Sequence, residues 1–408
     1  MLDNRLSKHL FFSEIFFIIS IIAINLGINE VGILFSIYIL FLKTSEFKIP
    51  KNIFIFLSSI LISGIVLSFI YTNYLNISSH YHQAILLRVR FYVIHILYAF
   101  SVTLYLYKVD KIRILHLIYL LAIINLMVGF IQLIYQLFFS TFERLSMLTS
   151  EPSSIAMFYV FAVPLLLLYQ KYNKNAKKGV WSFIILGILI VSKAQILIFL
   201  FWIIVFLLKM KMKMKRKLVI IPIIIIFGLF IAQFFLQIHQ VNALYRFLSI
   251  SFNEGLSGLN EQNQIYTSFT FRLSGALTAL SLFWEYLSGI GFGTFHPLYI
   301  DYMNSSGLGQ LLSGSEIIGV LFEDGYATPK SAFLELLVSC GLFFLIPFFF
   351  IAKQFLKEKI PFLIKISFFS LVIISFMVEL APFLTYLIIL LVLEVKFRNY
   401  PRDCELMS

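Results

Sequence analysis

Apolar runs of bilayer-spanning length recur along this chain, and they constrain its fold more than any other feature. A helix that crosses the hydrocarbon layer needs roughly 20 predominantly apolar residues, fewer where neighbouring protein covers it. Twelve candidate spans appear, near 10–27, 30–42, 53–71, 91–107, 114–139, 154–170, 180–192, 195–208, 218–236, 331–351, 360–378 and 381–395. The second, seventh and eighth are short, which suits helices buried among neighbours. Hydrophobic residues are 60% and charged residues 13% of the 408, against about 45–50% and about 25% in soluble domains. The expected fold is all-α: a polytopic membrane protein of about twelve transmembrane helices, one integral membrane domain over 1–408. One long extracytoplasmic loop with amphipathic helices interrupts it at 237–330. Basic residues in MLDNRLSKHL precede the first run, and no small-residue cleavage site follows, so that run is expected to be a span.

The connectors set the expected orientation. With the N-terminus cytoplasmic, 25 of the 32 Lys and Arg fall on the cytoplasmic side, in every second connector. This is the pattern of the positive-inside rule. The net charge of +12 then reflects topology, and nucleic acid is not an expected partner. The run KMKMKMKRK is a solvated connector that can also meet anionic lipid. Seven cations remain outside: Arg88, Arg90, Arg144, Lys193, Arg246, Arg272 and Lys330. They stand against the bias and beside about twelve outer carboxylates, which points to a specific anion site rather than a general basic surface. Cys340 lies in a candidate span and Cys404 in the C-terminal tail, so no disulfide framework is expected.

Four stretches carry the candidate chemistry. In ERLSMLTSEPSS, Arg144 lies in an outer loop and Glu151-Pro152 opens a span; proline suits a first helical turn and Ser150 can cap it. Its plainer reading is a capped helix start with Arg144 paired to Glu143 or Glu151. In ILIVSKAQILIF, Lys193 sits at an outer turn, where snorkelling is the alternative to a functional cation. In FRLSGALTALSLFWEYLSGIGFGTFHP, Arg272 precedes an amphipathic stretch with Trp284. Gly289, Gly291 and Gly293 then mark a turn where backbone passes close to something. The plainer reading is an interfacial helix on the outer leaflet ended by that turn. In PKSAFLELLVSCGLF, Lys330, Ser331, Leu334, Glu335 and Val338 share one expected helix face. An intramembrane carboxylate implies function or a named partner, and Lys330 or Lys193 are the candidates for Glu335. His80 and His82 lack a nearby carboxylate and make a poor metal site. His239 and His296 are bases or nothing. No nucleotide-binding or zinc-protease motif is present.

In this order, the four pieces resemble the bacterial O-antigen polymerase and O-antigen ligase superfamily. There, a loop Arg and a Glu-Pro-Ser-like motif open a middle span, as Arg144 and Glu151-Pro152-Ser153 do. A Ser-Arg pair follows, where this chain has Ser192-Lys193. A long loop carries Arg, an aliphatic helix with Trp, and Gly-x-Gly-x-Gly-x-Phe, similar to Arg272, Trp284, Gly289, Gly291, Gly293 and Phe295. Leu334 and Gly341 fit the pattern after the loop, while Lys330 and Ser331 stand where ligases and many polymerases have His and Asn. The resemblance covers roughly 144–343.

It implies a membrane glycosyltransferase of the bacterial inner membrane, with both termini cytoplasmic. Donor and acceptor would both be undecaprenyl-pyrophosphate-linked glycans carrying O-antigen or capsular repeat units. No cofactor or obligatory metal is implied. Membrane lipid is a further partner, and a chain-length regulator protein is one the resemblance allows. Arg144, Lys193, Arg272 and Lys330 would grip the pyrophosphate, since Arg makes bidentate charge-assisted bonds and Lys adds a point charge. Gly289, Gly291 and Gly293 would let backbone approach the substrate. Glu151 is the expected base for the acceptor hydroxyl and Glu335 the second, with Arg272 stabilising developing charge. The ligase that transfers glycan to lipid A core is the runner-up. A transporter or flippase of lipid-linked oligosaccharide is the alternative from another class.

Overall fold

A computed structural model describes residues 2–41, 49–75, 77–139, 147, 152–188, 198–199, 201–202, 205, 263–305, 327–357, 359–376 and 380–398. These residues form helices and connections, with no strand among them. In chain order the helices are α1 (Leu2–Asn25), α2 (Asn29–Phe41), α3 (Lys51–Tyr74), α4 (His82–Lys108), α5 (Lys111–Phe139), α6 (Pro152–Tyr172) and α7 (Lys177–Ile188). After them come α8 (Asn263–Glu285), α9 (Phe295–Ser305), α10 (Ala332–Cys340), α11 (Leu342–Phe355), α12 (Phe362–Ser375) and α13 (Leu380–Arg398). Among the described residues, four helices are long and apolar enough to cross a membrane: Lys51–Tyr74, His82–Lys108, Lys111–Tyr135 and Ile155–Tyr172. Shorter apolar helices cover Phe12–Asn25, Asn29–Leu40, Leu342–Phe355 and Phe362–Ser375. The expected span near 218–236 and the loop residues 237–262 and 306–326 lie outside the described residues, as does most of 195–208.

Each helix shows its environment in its apolar pattern. In α3, Ile53, Phe56, Leu57, Ile60, Gly64 and Leu67 recur at three- and four-residue spacing and are buried. Yet the opposite face is also apolar, with Phe54, Ile55, Ile62, Val66, Phe69 and Ile70 exposed. Water disfavours such a face and lipid does not. The same holds for α5, whose Phe130, Ile131, Ile134 and Phe138 face outward. By contrast α6 and α13 are apolar and buried all round, from Ile155 to Leu166 and from Pro382 to Glu394, so they form the centre of the bundle. α6 begins at Pro152, as proline's fixed φ and missing N–H favour. Ser367 on α12 ties that helix to α6 by donating to the Phe161 carbonyl at 2.7 Å.

Among the described residues, two arginine–glutamate pairs lie at one end of the bundle. Arg113 grips Glu14 through Nε and Nη2, both at 2.5 Å. Arg398 makes the same fork onto buried Glu394, at 2.8 and 2.5 Å, and reaches Gln354. At the other end, α8 and α9 form a hairpin held by hydroxyl pairs, Ser274 with Tyr299 at 2.8 Å and Ser281 with Tyr302 at 2.7 Å. The polar stripe of α8 thus faces protein, while Leu277, Leu280 and Trp284 face outward, Trp284 at 73% exposure.

Candidate functional site

The expected span 331–351 is two helices, not one. Gly341 separates α10 from α11 with φ 54° and ψ −133°, a conformation that residues with a Cβ avoid. A break within an apolar run frees backbone groups that the bilayer interior cannot solvate. The glycine turn after α8 meets them. Ile290 N–H donates to the Val338 carbonyl at 2.9 Å and Gly291 N–H to the Ser339 carbonyl at 2.8 Å, capping the end of α10. Leu342 N–H, at the start of α11, donates to the Leu287 carbonyl at 2.9 Å. On its far side the turn binds α3: Phe292 N–H donates to the Gly64 carbonyl at 3.0 Å, and Ser68 Oγ donates to the Phe292 carbonyl. The turn is therefore a wedge of irregular backbone inserted between α3, α4 and α10–α11.

Gly289, Gly291 and Gly293 all have φ near +90°, and each is pressed on another chain segment. A Cβ on Gly289 would lie 2.5 Å from the Ser339 carbonyl oxygen, and one on Gly291 would overlap the backbone of Ser68. On Gly293 it would lie 2.9 Å from the Ile85 oxygen and 3.2 Å from Arg88 Cβ. Close approach is thus real, and in these contacts the approached group is helix backbone. Phe292 lies flat on Tyr92, centroids 4.0 Å apart and planes 4° apart, in the space that the missing side chain of Gly64 leaves.

Above this wedge stands a charged constellation. Glu335, one turn into α10, is 4% exposed. Its Oε1 accepts from Arg88 Nη2 at 2.5 Å and from the Tyr92 hydroxyl. Sequence spacing offered Lys330 or Lys193 as partners; the structure supplies two residues from α4, 247 and 243 positions earlier in the chain. The Arg88 guanidinium lies over the Phe91 ring, 4.5 Å from its centroid, and 5.5 Å from that of Tyr92, which fixes its plane. Its side chain remains 22% exposed. The signal that could have found Arg88 is its sign, a cation against the positive-inside bias. The hydropathy run starts only at 91, whereas α4 starts at His82 and takes Arg88 into the helix.

Lys330 does not share the α10 face with Glu335. The helix starts at Ala332, capped by Ser331, whose Oγ accepts from Leu334 N–H at 3.2 Å and donates to the Ser375 carbonyl at 3.2 Å. Lys330 precedes the cap in a left-handed conformation, φ 52°, and is half-buried. Three contacts hold its segment. Ala327 N–H donates to His296 Nδ1 at 2.9 Å, and Tyr81 packs edge-on against the His296 ring. Gly275 of α8 abuts Thr328 and Pro329, so the helical turn that starts at Arg272 lies beside the segment that leads to Lys330. Arg272 itself is half-buried. His296, left open by sequence, is an acceptor at Nδ1 and so carries its proton at Nε2 when neutral.

Segments 81–92, 272–275, 289–296 and 327–335 therefore converge at one end of the bundle. Together they carry Arg88, Arg272 and Lys330 to the corner where Glu335 lies, while Arg90, two residues beyond Arg88 on α4, is exposed on another face of that helix. Such a corner can bind a polyanion and hold it beside buried apolar helices. Arg144, Glu151 and Lys193 lie outside the described residues. Between the first two, Met147 is pinned to α5 by Gln132, which accepts from its N–H at 2.9 Å and donates to its carbonyl at 3.3 Å. Comparison with protein-family models, curated proteins and solved structures gives no match.

Proposed function

We propose that this chain is a membrane glycosyltransferase that polymerises undecaprenyl-pyrophosphate-linked O-antigen or capsular repeat units. It works at the outer face of the bacterial inner membrane, in a body of about twelve spans with both termini cytoplasmic. The observation that supports this reading is the corner at the end of the bundle where α8 and α9 lie, where two of the four family-like stretches, those of Arg272–Phe295 and Lys330–Leu334, meet α4. In the reaction, the bond between the anomeric carbon and the pyrophosphate oxygen breaks. The acceptor hydroxyl oxygen bonds to that carbon and its proton passes to a base, for which Glu151 is the first choice. The lipid pyrophosphate leaves with the electron pair. Arg144, Lys193, Arg272 and Lys330 stabilise the charge that gathers on it. The outward apolar face of α8, with Leu277, Leu280 and Trp284, suits the outer leaflet, and the polyprenyl tail of the substrate would lie between spans.

One observation favours a second reading. The break at Gly341 is the kind of discontinuous helix that transporters place at a substrate site. Here, however, the chain's own turn occupies the freed backbone groups, and among the described residues no repeated half accompanies it. Deletion of the gene followed by gel analysis of surface polysaccharide tests the readings. A single repeat unit per core is expected for loss of a polymerase. Absence of any repeat on the core indicates a ligase or flippase instead, and an unchanged ladder rejects all three.

A further inference from the structure

We propose that Tyr71, Tyr74, Glu285, Tyr286 and Ser288 form a saccharide subsite, which holds sugars of the lipid-linked glycan at the outer rim of the wedge. It rests on the polymerase reading and gives the uncharged part of that substrate a place. Three rings and a carboxylate meet where the C-terminal end of α3 reaches the end of α8. Tyr71 stands edge-on to Tyr286, centroids 5.3 Å apart, and to Tyr74, centroids 6.3 Å apart. Its hydroxyl lies 3.3 Å from Ser288 Oγ. Tyr74 is 74% exposed, and Glu285 is exposed as well. Burial first, and then its hydrogen bond to Glu285, push the Tyr286 hydroxyl up to about 12, so it stays a donor. A pyranose ring calls for this mixture. Its C–H face is apolar and slightly positive, so it stacks on the electron-rich face of an aromatic ring. Its hydroxyls seek donors and acceptors of the phenol and carboxylate kind. An acyl chain laid over the same groups would bury the Glu285 charge in hydrocarbon, at a large cost. Nor does the cluster suit a phosphate. Among the described residues, the ionisable groups acting on Tyr286 are Glu285, Tyr71 and Tyr74, and none is a cation. The position fits too. Tyr71 stands one helical turn beyond Ser68, whose Oγ holds the Phe292 carbonyl. Ser288 begins the wedge, and Gly293 at the wedge's other end packs against Arg88 Cβ. The cluster and the charged corner are thus two ends of one wedge, as a pyrophosphate and its attached sugars are two ends of one donor.

The test is equilibrium binding of repeat-unit oligosaccharide, released by mild acid from the lipid-linked glycans of the cells that carry the gene, to the full chain in lipid nanodiscs. The wild type is expected to bind it. Tyr74→Ala should weaken binding about two- to tenfold, the effect of losing one stacking face. Tyr74→Phe keeps the ring and should bind like the wild type. Glu285→Ala should weaken binding by about tenfold or more, because a charged hydrogen-bond acceptor is lost, and Glu285→Gln should lie between. Both side chains are exposed, so these variants should unfold at the wild-type temperature. Leu277→Ala, on the outward face of α8, should bind like the wild type. In polymerisation, Tyr74→Ala should need more glycan for half-maximal rate and reach the wild-type rate at saturation. Wild-type affinity in either Tyr74→Ala or Glu285→Ala would overturn the proposal. If Tyr74→Ala instead binds oligosaccharide normally and loses co-purifying phosphatidylethanolamine, the cluster is a lipid-headgroup site and the proposal also fails. A wild type that binds no oligosaccharide, in cells whose ladder falls to one repeat on gene deletion, would overturn the subsite and leave the polymerase reading intact. A ladder unchanged by the deletion would overturn both.

Discussion

Lys330 occupies a left-handed backbone conformation, φ 52°, that costs a residue with a Cβ roughly 1–2 kcal/mol. Strain of this kind persists only where the surrounding structure over-determines it. Lys330→Gly removes both the strain and the cation. Its thermal unfolding midpoint should stay level or rise, by an amount equivalent to at most about 1 kcal/mol, while polymerisation falls at least about tenfold. A destabilised variant with full turnover would refute a role for Lys330 in the site. Lys330→Arg should keep activity, since the charge remains. The glycines respond in the opposite sense. Gly291→Ala forces a Cβ into the backbone of Ser68 at φ 89°, so backbone strain and overpacking should together cost about 3 kcal/mol or more. The variant is expected to lose folded protein, measured by detergent-solubilised yield and thermal unfolding, before any change in turnover per folded molecule can be read.

At the level of elements, the broken helix α10–α11 and the wedge that fills it form one unit. Gly341→Ala would drive a Cβ into Gly289 N and the Leu287 carbonyl. It should therefore release the wedge and raise amide exchange at Leu287–Phe292 together with Val338–Leu342, because those hydrogen bonds are shared. Exchange confined to α10–α11 would separate the two pieces. This unit also marks the limit of what sequence reveals. The existence of α1 through α7, α12 and α13 is legible in apolar runs, and so is the start of α6 at Pro152. The break is not, because one glycine in FLELLVSCGLF leaves the hydropathy of the run intact. Nor is the wedge, whose contacts are backbone to backbone and leave only three glycines as a trace. The partners of Glu335 were hidden for another reason. Arg88 and Arg90 depress the local hydropathy, so the first turns of α4 read as connector, and only the fold brings 88 and 335 together.

Across the whole molecule, the described residues present apolar faces outward on α3 and α5, place two Arg–Glu pairs at one end and bring Arg88, Arg272 and Lys330 to the end where Glu335 lies. The orientation proposed from the basic connectors predicts the outcome of thiol labelling on intact cells. A membrane-impermeant reagent should modify an engineered Ser257→Cys in the long loop and spare Cys404; Cys340 is buried and should not contribute. Labelling of Cys404 would invert the orientation. The central claim, a lipid-pyrophosphate polymerase built on an outer cation site, is tested most directly by the surface polysaccharide ladder of single-residue variants expressed at wild-type level. Arg272→Ala and Arg144→Ala should nearly abolish the ladder, each losing about 1.5–3 kcal/mol of charged hydrogen bonding, with Arg→Lys restoring only part. Arg246→Ala, outside every family-like motif, should leave it almost unchanged. Full-length ladders from both Arg272→Ala and Arg144→Ala would contradict the account and favour transport over polymerisation.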